Sequence, residues 1–167
     1  LQSARLNQQS DQLQTELEKQ SIQIENEHYF LEALIKNSSF AVVRLDTDHQ
    51  IITCNQAFEE LFGHTLQEIE GKHLDDLISS KELIDEASRI SRSVSGGTLV
   101  RKISKRKRKD GSLIDLEIVG IPVRVAGKNI GILGLYHDIS ARVEAEAALR
   151  QSESRFRSLF FSLKRYP

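Results

Sequence analysis

The sequence contains no Met, no Trp, one Cys and two Pro among 167 residues. A single thiol, Cys54, excludes an internal disulfide and the Cys-rich zinc folds. The chain lacks any apolar run of the roughly 18 residues that span a bilayer, and it lacks a signal peptide. We therefore expect a cytoplasmic location. Because Met is missing even at position 1, we also expect a longer parent protein.

Neither sign of charge dominates the composition. Lys and Arg number 23 and Asp and Glu number 24, which leaves a net charge of −1. This balance argues against a protein that binds nucleic acid nonspecifically. Charged residues make up 28% and hydrophobic residues 39% of the chain, so collagen-like and disordered classes are excluded.

Residues 1–37 are predicted to form one helix, because they contain neither Gly nor Pro. Alternating steps of three and four residues indicate a coiled-coil seam, from which we predict a homodimer. A single amphipathic helix lying on its own domain is the alternative. The seam residues are Leu6, Leu13, Leu17, Gln20, Ile24, Leu31 and Leu34.

Residues 38–140 carry a mixed strand and helix pattern. Strands are predicted at 41–46 and 51–54. Asn55 suits the N-cap of a helix that stops at Gly63, and Thr65 with Glu68 fits a capping box. One amphipathic helix is predicted from Leu74 to about Val94.

Three further strands are predicted at 98–107, 113–125 and 130–138, with Pro122 marking an edge or a bulge. From residue 141 a helix returns, with a second seam of 4-3-4 spacing. The order predicts an α+β fold: a five-stranded antiparallel sheet with helices on one face, flanked by N- and C-terminal helices.

Several short motifs, in this order and at these spacings, resemble the PAS domain family. They are Asn37-Ser38-Ser39, Asn55-Gln56-Ala57-Phe58, Leu61-Phe62-Gly63, Glu68-Ile69-Glu70-Gly71-Lys72, Lys109-Asp110-Gly111-Ser112 and Tyr136-His137-Asp138-Ile139-Ser140. The resemblance implies a sensor domain at 38–140. It also implies that residues 141–167 are an outgoing linker helix that runs into the start of a second PAS domain.

The last motif resembles the Asp-Ile-Thr sequence that closes many bacterial PAS domains. By that resemblance, signal relay is expected at Asp138, Ile139, Ser140 and Arg142, with Asp138 paired to Arg142. An ordinary helix N-cap by Asp138 or Ser140 is the alternative, and the two arrangements are compatible.

No catalytic or metal-binding pattern is present in the sequence. The chain has no phosphate-binding loop and no nucleophile elbow, and its five His lack partners at helical metal-site spacing. We expect no enzyme activity from this segment. A parent protein with a histidine kinase or cyclic-dinucleotide enzyme domain is compatible with it.

The resemblance to PAS domains raises the question of cofactors, and both haem and flavin are disfavoured. Residues 79–94 contain no His for haem, Cys54 ends a strand rather than lying on a helix, and Trp is absent. Apolar residues of the sheet and helices predict instead a pocket for a small apolar ligand. Its predicted lining is Val43, Leu45, Phe58, Leu61, Phe62, Ile69, Leu74, Leu77, Ile78, Leu83, Ile103, Leu116, Ile118, Leu133 and Tyr136. The alternative is that these side chains fill the core themselves.

A basic run at 101–109 raises the possibility of contact with nucleic acid or an acidic surface. It lacks interleaved aromatic residues for base stacking, so a solvated hairpin is favoured and no nucleic-acid partner is expected. The sequence thus predicts a sensory or relay module that couples a small-molecule or partner signal to a downstream output domain. A ligand-free dimerisation module is the alternative.

Overall fold

The computed structural model describes the backbone of residues 2–163 and the side chains of residues 7–161. It divides into two compact units, one ending at Ser38 and one beginning at Ser39, and each is described by itself. The side chain of Leu6 and the last four residues of the predicted linker, 164–167, lie outside the described residues.

The first unit contains one long helix, α1 (Gln2–Lys36). The uninterrupted run without Gly or Pro explains its length. Its described side chains from Asn7 onward are exposed, including large apolar ones on the predicted seam. Across residues 2–163, the helices are too short or too polar to cross a membrane.

The second unit is built on one five-stranded antiparallel sheet, in the order β2-β1-β5-β4-β3. This arrangement confirms the predicted sheet. The strands are β1 (Ala41–Leu45), β2 (Ile51–Cys54), β3 (Val100–Lys107), β4 (Leu113–Val125) and β5 (Lys128–Asp138). The helices are α2 (Gln56–Phe62), α3 (Leu66–Ile69), α4 (Leu74–Ile78), α5 (Ile84–Ser95) and the outgoing α6 (Ser140–Leu163).

Asn55 lies between β2 and α2, and its side chain links α2 to the first strand. Its Oδ1 accepts hydrogen bonds from the backbone N of Phe58, at 3.0 Å, and of Val42, at 2.9 Å. Its Nδ2 donates to the carbonyl of Phe40 at 2.9 Å. The predicted N-cap is therefore confirmed, and the same side chain also ties α2 to β1.

The predicted helix from Leu74 to Val94 is wrong in one respect, because it is two helices. Ser79 follows α4 in an extended conformation, with φ −106° and ψ 142°. The backbone N of Ser79 donates to the carbonyl of Asp75 at 3.1 Å, which closes the last turn of α4 before the chain leaves the helical conformation. Both pieces bury one face, α4 through Ile78 and α5 through Ala87, and the apolar periodicity therefore continues across the break.

Pro122 lies where β4 extends beyond its neighbour. The last β3 pair is Val100 with Gly120, and the register of β4 against β5 shifts between Val123 and Arg124. Pro122 therefore sits at an open edge beside a bulge, as predicted, where its missing N–H breaks no ladder bond.

Gly120 sets how closely α5 packs on the sheet. A Cβ placed at Gly120 would lie 2.6 Å from Cγ2 of Val94, which is buried on α5. Gly120→Ala should therefore destabilise the fold by about 1–3 kcal/mol, the usual cost of overpacking. Denaturant unfolding measures this change. When Gly120→Ala is combined with Val94→Ala, the loss of stability should be smaller than the sum of the two single losses. A loss in the double variant that equals or exceeds this sum would contradict the close contact.

Candidate functional site

A small cavity lies between the inner face of the sheet and helices α4 and α5. Its volume is about 30 Å³, which is room for about two water molecules. Its apolar walls are Leu45, Leu74, Ala87, Ile90, Val94, Ile118 and Ile132, and its polar walls are His49, Asp75, Ser91, Arg106 and Tyr136.

Most of the predicted pocket residues fill the core instead of surrounding a cavity. Only Leu45, Leu74, Ile118 and Tyr136 line the 30 Å³ space. The packed core also holds Val43, Phe58, Leu61, Phe62, Ile69, Leu77, Ile78 and Leu116. Leu83 is half-buried ahead of α5 and lies outside this cluster. The side chains thus largely occupy the space that the sequence assigned to a ligand.

Two predicted pocket residues lie on the wrong face of the sheet. Ile103 is 56% exposed and pairs across the strands with Glu117, while Leu133 pairs with Arg44 and Ile121. Successive side chains of a strand point to opposite faces. Both residues are therefore on the outer face of the sheet, next in sequence to residues of the inner face, and neither lines the interior.

Arg106 is the interior residue that the sequence pattern concealed. It lies in the basic run but is only 2% exposed, because it pairs across the ladder with the buried Ile114 and points to the inner face of the sheet. Nη1 donates to Ser104 Oγ at 3.1 Å and to the carbonyl of Lys105 at 2.7 Å. The sequence predicted a mainly apolar lining, so this buried guanidinium is a polar group that the prediction missed.

The remaining polar groups of the cavity are neutral or hydrogen-bonded. Burial raises the pKa of the Tyr136 phenol well above its usual value, so its hydroxyl stays protonated. Asp75 Oδ2 accepts a hydrogen bond from Ser91 Oγ at 2.7 Å. His49 Nε2 is 2.6 Å from Ser95 Oγ, and burial lowers the pKa of that imidazole, so it is neutral at pH 7.

The rest of the basic run is largely paired with acidic residues. Arg101 contacts Glu117 at 2.6 Å, Lys105 contacts Asp115 at 2.7 Å, and Lys109 contacts Glu68 at 2.8 Å. Such exposed pairs add little stability, but they do offset the positive charge of the hairpin. This pairing supports the solvated-hairpin interpretation.

The start of α6 is fixed to the sheet by three contacts. Asp138 Oδ1 accepts from the backbone N of Ser140 at 2.9 Å, and Oδ2 lies 3.5 Å from Arg108 Nη2. The backbone N of Ile139 donates to the carbonyl of Asp115 at 3.0 Å, and Ile139 is 3% exposed. Burial raises the pKa of Asp138, but the bonds from Ser140 and the charge of Arg108 outweigh it and lower that pKa.

The predicted ion pair between Asp138 and Arg142 is wrong. Arg142 Nε lies 3.8 Å from Glu146 Oε1, one turn along the same helix. Asp138 instead faces Arg108, which reaches it from the hairpin between β3 and β4.

Comparison with known proteins agrees with this architecture. The PAS fold matches residues 29–139, and the chain belongs to the PAS family. An RNA-binding Light-Oxygen-Voltage receptor is 27% identical, with a TM-score of 0.65; the match covers 75% of this chain but only 36% of the receptor. The chain thus spans about a third of that protein.

Two further solved structures share the fold. A PAS domain of an HTR-like protein from Haloarcula marismortui is 24% identical over 73% of this chain and 99% of that one, with a TM-score of 0.59. A domain of a sensory box sensor histidine kinase/response regulator from Geobacter sulfurreducens is 18% identical over 69% and 96%, also with a TM-score of 0.59. The chain thus contains a PAS domain with flanking helices.

The sequence disfavours flavin, and the size of the cavity and the state of Cys54 bear on that expectation. A 30 Å³ cavity is far smaller than a three-ring system. Cys54 does not line it, and burial raises the pKa of that thiol to about 11, which leaves little thiolate at pH 7.

Asp138 should hold the first turn of α6 in place. Asp138→Ala removes the bond to the Ser140 amide, and loss of such a cap costs about 1 kcal/mol. Hydrogen exchange of the backbone amides at 140–143 should then speed up about fivefold, while amides of β1 stay protected. Arg142→Ala is the matched control, since among the described residues Arg142 pairs with Glu146 of its own helix. Equal acceleration in the two variants would refute the assignment of Asp138.

Proposed function

We propose that this PAS domain relays the state of its sheet interior to the outgoing helix α6, within a dimeric signalling protein on the cytoplasmic side. The observation that carries the proposal is the bond from Ile139 N to the carbonyl of Asp115. It ties the buried first turn of α6 to β4, the strand that also supplies Leu116 and Ile118 to the core.

The energetic requirement of such a relay is small. A ligand or partner shifts two packings only by its difference in affinity for them, typically about 1–3 kcal/mol. The contacts at the start of α6 are one backbone hydrogen bond, one helix cap and one partly exposed ion pair. Their combined contribution to the free energy is in the same range. Its two packings are thus close enough in free energy for a weak signal to shift their populations.

Association through the flanking helices is the second part of the proposal. Leu17, Ile24 and Leu31 of α1 are exposed at seam spacing, and Leu149, Phe156 and Leu159 of α6 are exposed in a second such series. Exposed apolar stripes of this kind are stabilised by pairing with a second helix. A downstream output domain following residue 167 completes the proposed parent.

A ligand-free relay module is the second candidate function. The observation that favours it is the size of the cavity, about 30 Å³, which is far smaller than a typical pocket for an organic ligand unless α5 moves. In that form the domain would respond to a protein partner or to strain from α1. Nucleic-acid binding through 101–109 has less support, since Arg101, Lys105 and Lys109 face acidic partners.

The proposed seam predicts which apolar residue of α1 controls association. Ile24→Lys places a charge on the seam and should shift sedimenting dimer to monomer. Ile22→Lys is the matched control, because Ile22 is 59% exposed, close to the 67% of Ile24, but lies off the seam. Analytical ultracentrifugation of the whole chain measures both. If the two variants dissociate equally, or neither does, the α1 seam is not the contact.

The proposed joint predicts that Arg108, and not Arg142, controls the direction of α6. Spin labels at Thr53→Cys in β2 and Arg150→Cys in α6 report the distance between them within one chain, when labelled protein is diluted with unlabelled protein. Cys54, with its raised pKa, reacts slowly with the label. Arg108→Gln should move or broaden this distance by about 1–2 Å or more, the usual scale of helix shifts.

Arg142→Gln is the control and should leave that distance unchanged, because Arg142 pairs within α6. An unchanged distance in Arg108→Gln, with the fold intact by circular dichroism, would contradict the relay.

A further inference from the structure

The guanidinium of Arg106 has unused donors inside the protein. Only Nη1 makes hydrogen bonds within the part of the chain whose side chains are described, and both go to oxygens of its own strand. Glu86 Oε1 lies 3.7 Å from Nη1, too far for a hydrogen bond, and Glu86 is closer to Lys102, at 3.3 Å. A buried cation in this state is costly unless an acceptor is supplied.

Two other groups of the same cavity also have hydrogen-bonding capacity left. Tyr136 is 6% exposed, and its hydroxyl makes no hydrogen bond to any described residue. Asp75 is buried and receives one bond, from Ser91, although a carboxylate accepts several. The cavity thus presents donors from Arg106 and Tyr136 and an acceptor from Asp75.

We propose that this cavity binds a small monovalent oxyanion that carries its own hydroxyl, with hydrogencarbonate as the representative. Its charged oxygens would accept from Arg106 and Tyr136, and its hydroxyl would donate to Asp75. The 30 Å³ volume limits the ligand to about this size. The role of the site as a signal input rests on the proposed function, but its occupancy does not.

Charge and size exclude the other ligand classes. An apolar ligand would leave Arg106, Tyr136 and Asp75 without partners, at a cost for each buried group. A cation would meet the guanidinium of Arg106. A dicarboxylate or a nucleotide is too large. An anion without a donor, such as formate, would place its charge near Asp75 with nothing to bridge the two.

The test is a titration of the whole ¹⁵N-labelled chain with sodium hydrogencarbonate, formate or nitrate at pH 8, each exchanged against sodium chloride. Backbone amide signals of Gly120 and Gly134, which line the cavity, report binding. The signal shifts caused by hydrogencarbonate should saturate in the millimolar range, because so small a ligand makes few contacts. Formate should bind about tenfold more weakly, because the acceptor at Asp75 stays unpaired.

Arg106→Gln should weaken hydrogencarbonate binding about tenfold or more, since a bond to a charged group is lost. Arg101→Gln is the matched control: the same strand and residue type, but on the opposite face and paired with Glu117. Tyr136→Phe, which removes one hydroxyl and keeps the ring, should also weaken binding and serves if Arg106→Gln does not fold. Asp75→Asn should remove the preference over formate.

The proposal is overturned if no anion gives a saturable shift at millimolar concentration, which would leave the cavity to water alone. It is also overturned if Arg106→Gln, or Tyr136→Phe in its place, binds as tightly as the unaltered chain. Binding that leaves the spin-label distance between β2 and α6 unchanged would contradict the relay while keeping the site.

Discussion

β5 is the central strand of the sheet, and its pairing on both sides is the constraint on which the other features depend. It pairs with β1 through Ala41 and Tyr136 and with β4 through Leu116 and Asp138. Tyr136 faces the interior, and Ile139, three residues later, is buried at the start of α6. A change in packing against Tyr136 therefore acts close to the outgoing helix, because an antiparallel ladder resists local slippage.

The interior combines dense packing with an unusual polar wall. Phe58, Phe62 and Tyr136 form an aromatic cluster, with ring centroids 4.6 to 6.0 Å apart. Tyr136 also lines the cavity, together with Arg106 and Asp75, and this space accommodates about two water molecules. Buried charged groups cost stability unless they are paired, and this cost makes the polar wall of the cavity the part of the core most sensitive to an occupant.

Local signals in the sequence predicted much of the fold. The Asn55 cap, the Thr65 and Glu68 capping box and the left-handed Gly63 all depend on neighbours a few residues away, so a single sequence is enough to recognise them. The break at Ser79 escaped prediction because the apolar face continues from α4 into α5.

The inner and outer faces of β3 were harder to predict. Ile103 is apolar and lies among charged residues, yet it faces outward, while Arg106 faces inward. The register of β3 against β4 decides which face is buried, and that pairing is a property of the folded sheet. For the same reason the partner of Asp138 was assigned to Arg142 in sequence rather than to Arg108 in space.

The proposed relay requires an energetic link between the interior and the first turn of α6. A double-mutant cycle that combines Tyr136→Phe with Asp138→Asn measures this link directly, with the exchange free energy of the Ile139 amide as the readout. We expect the two substitutions to be coupled by about 0.5 kcal/mol or more. Effects that add to within about 0.3 kcal/mol would show that the interior and the outgoing helix are independent, which would contradict the relay.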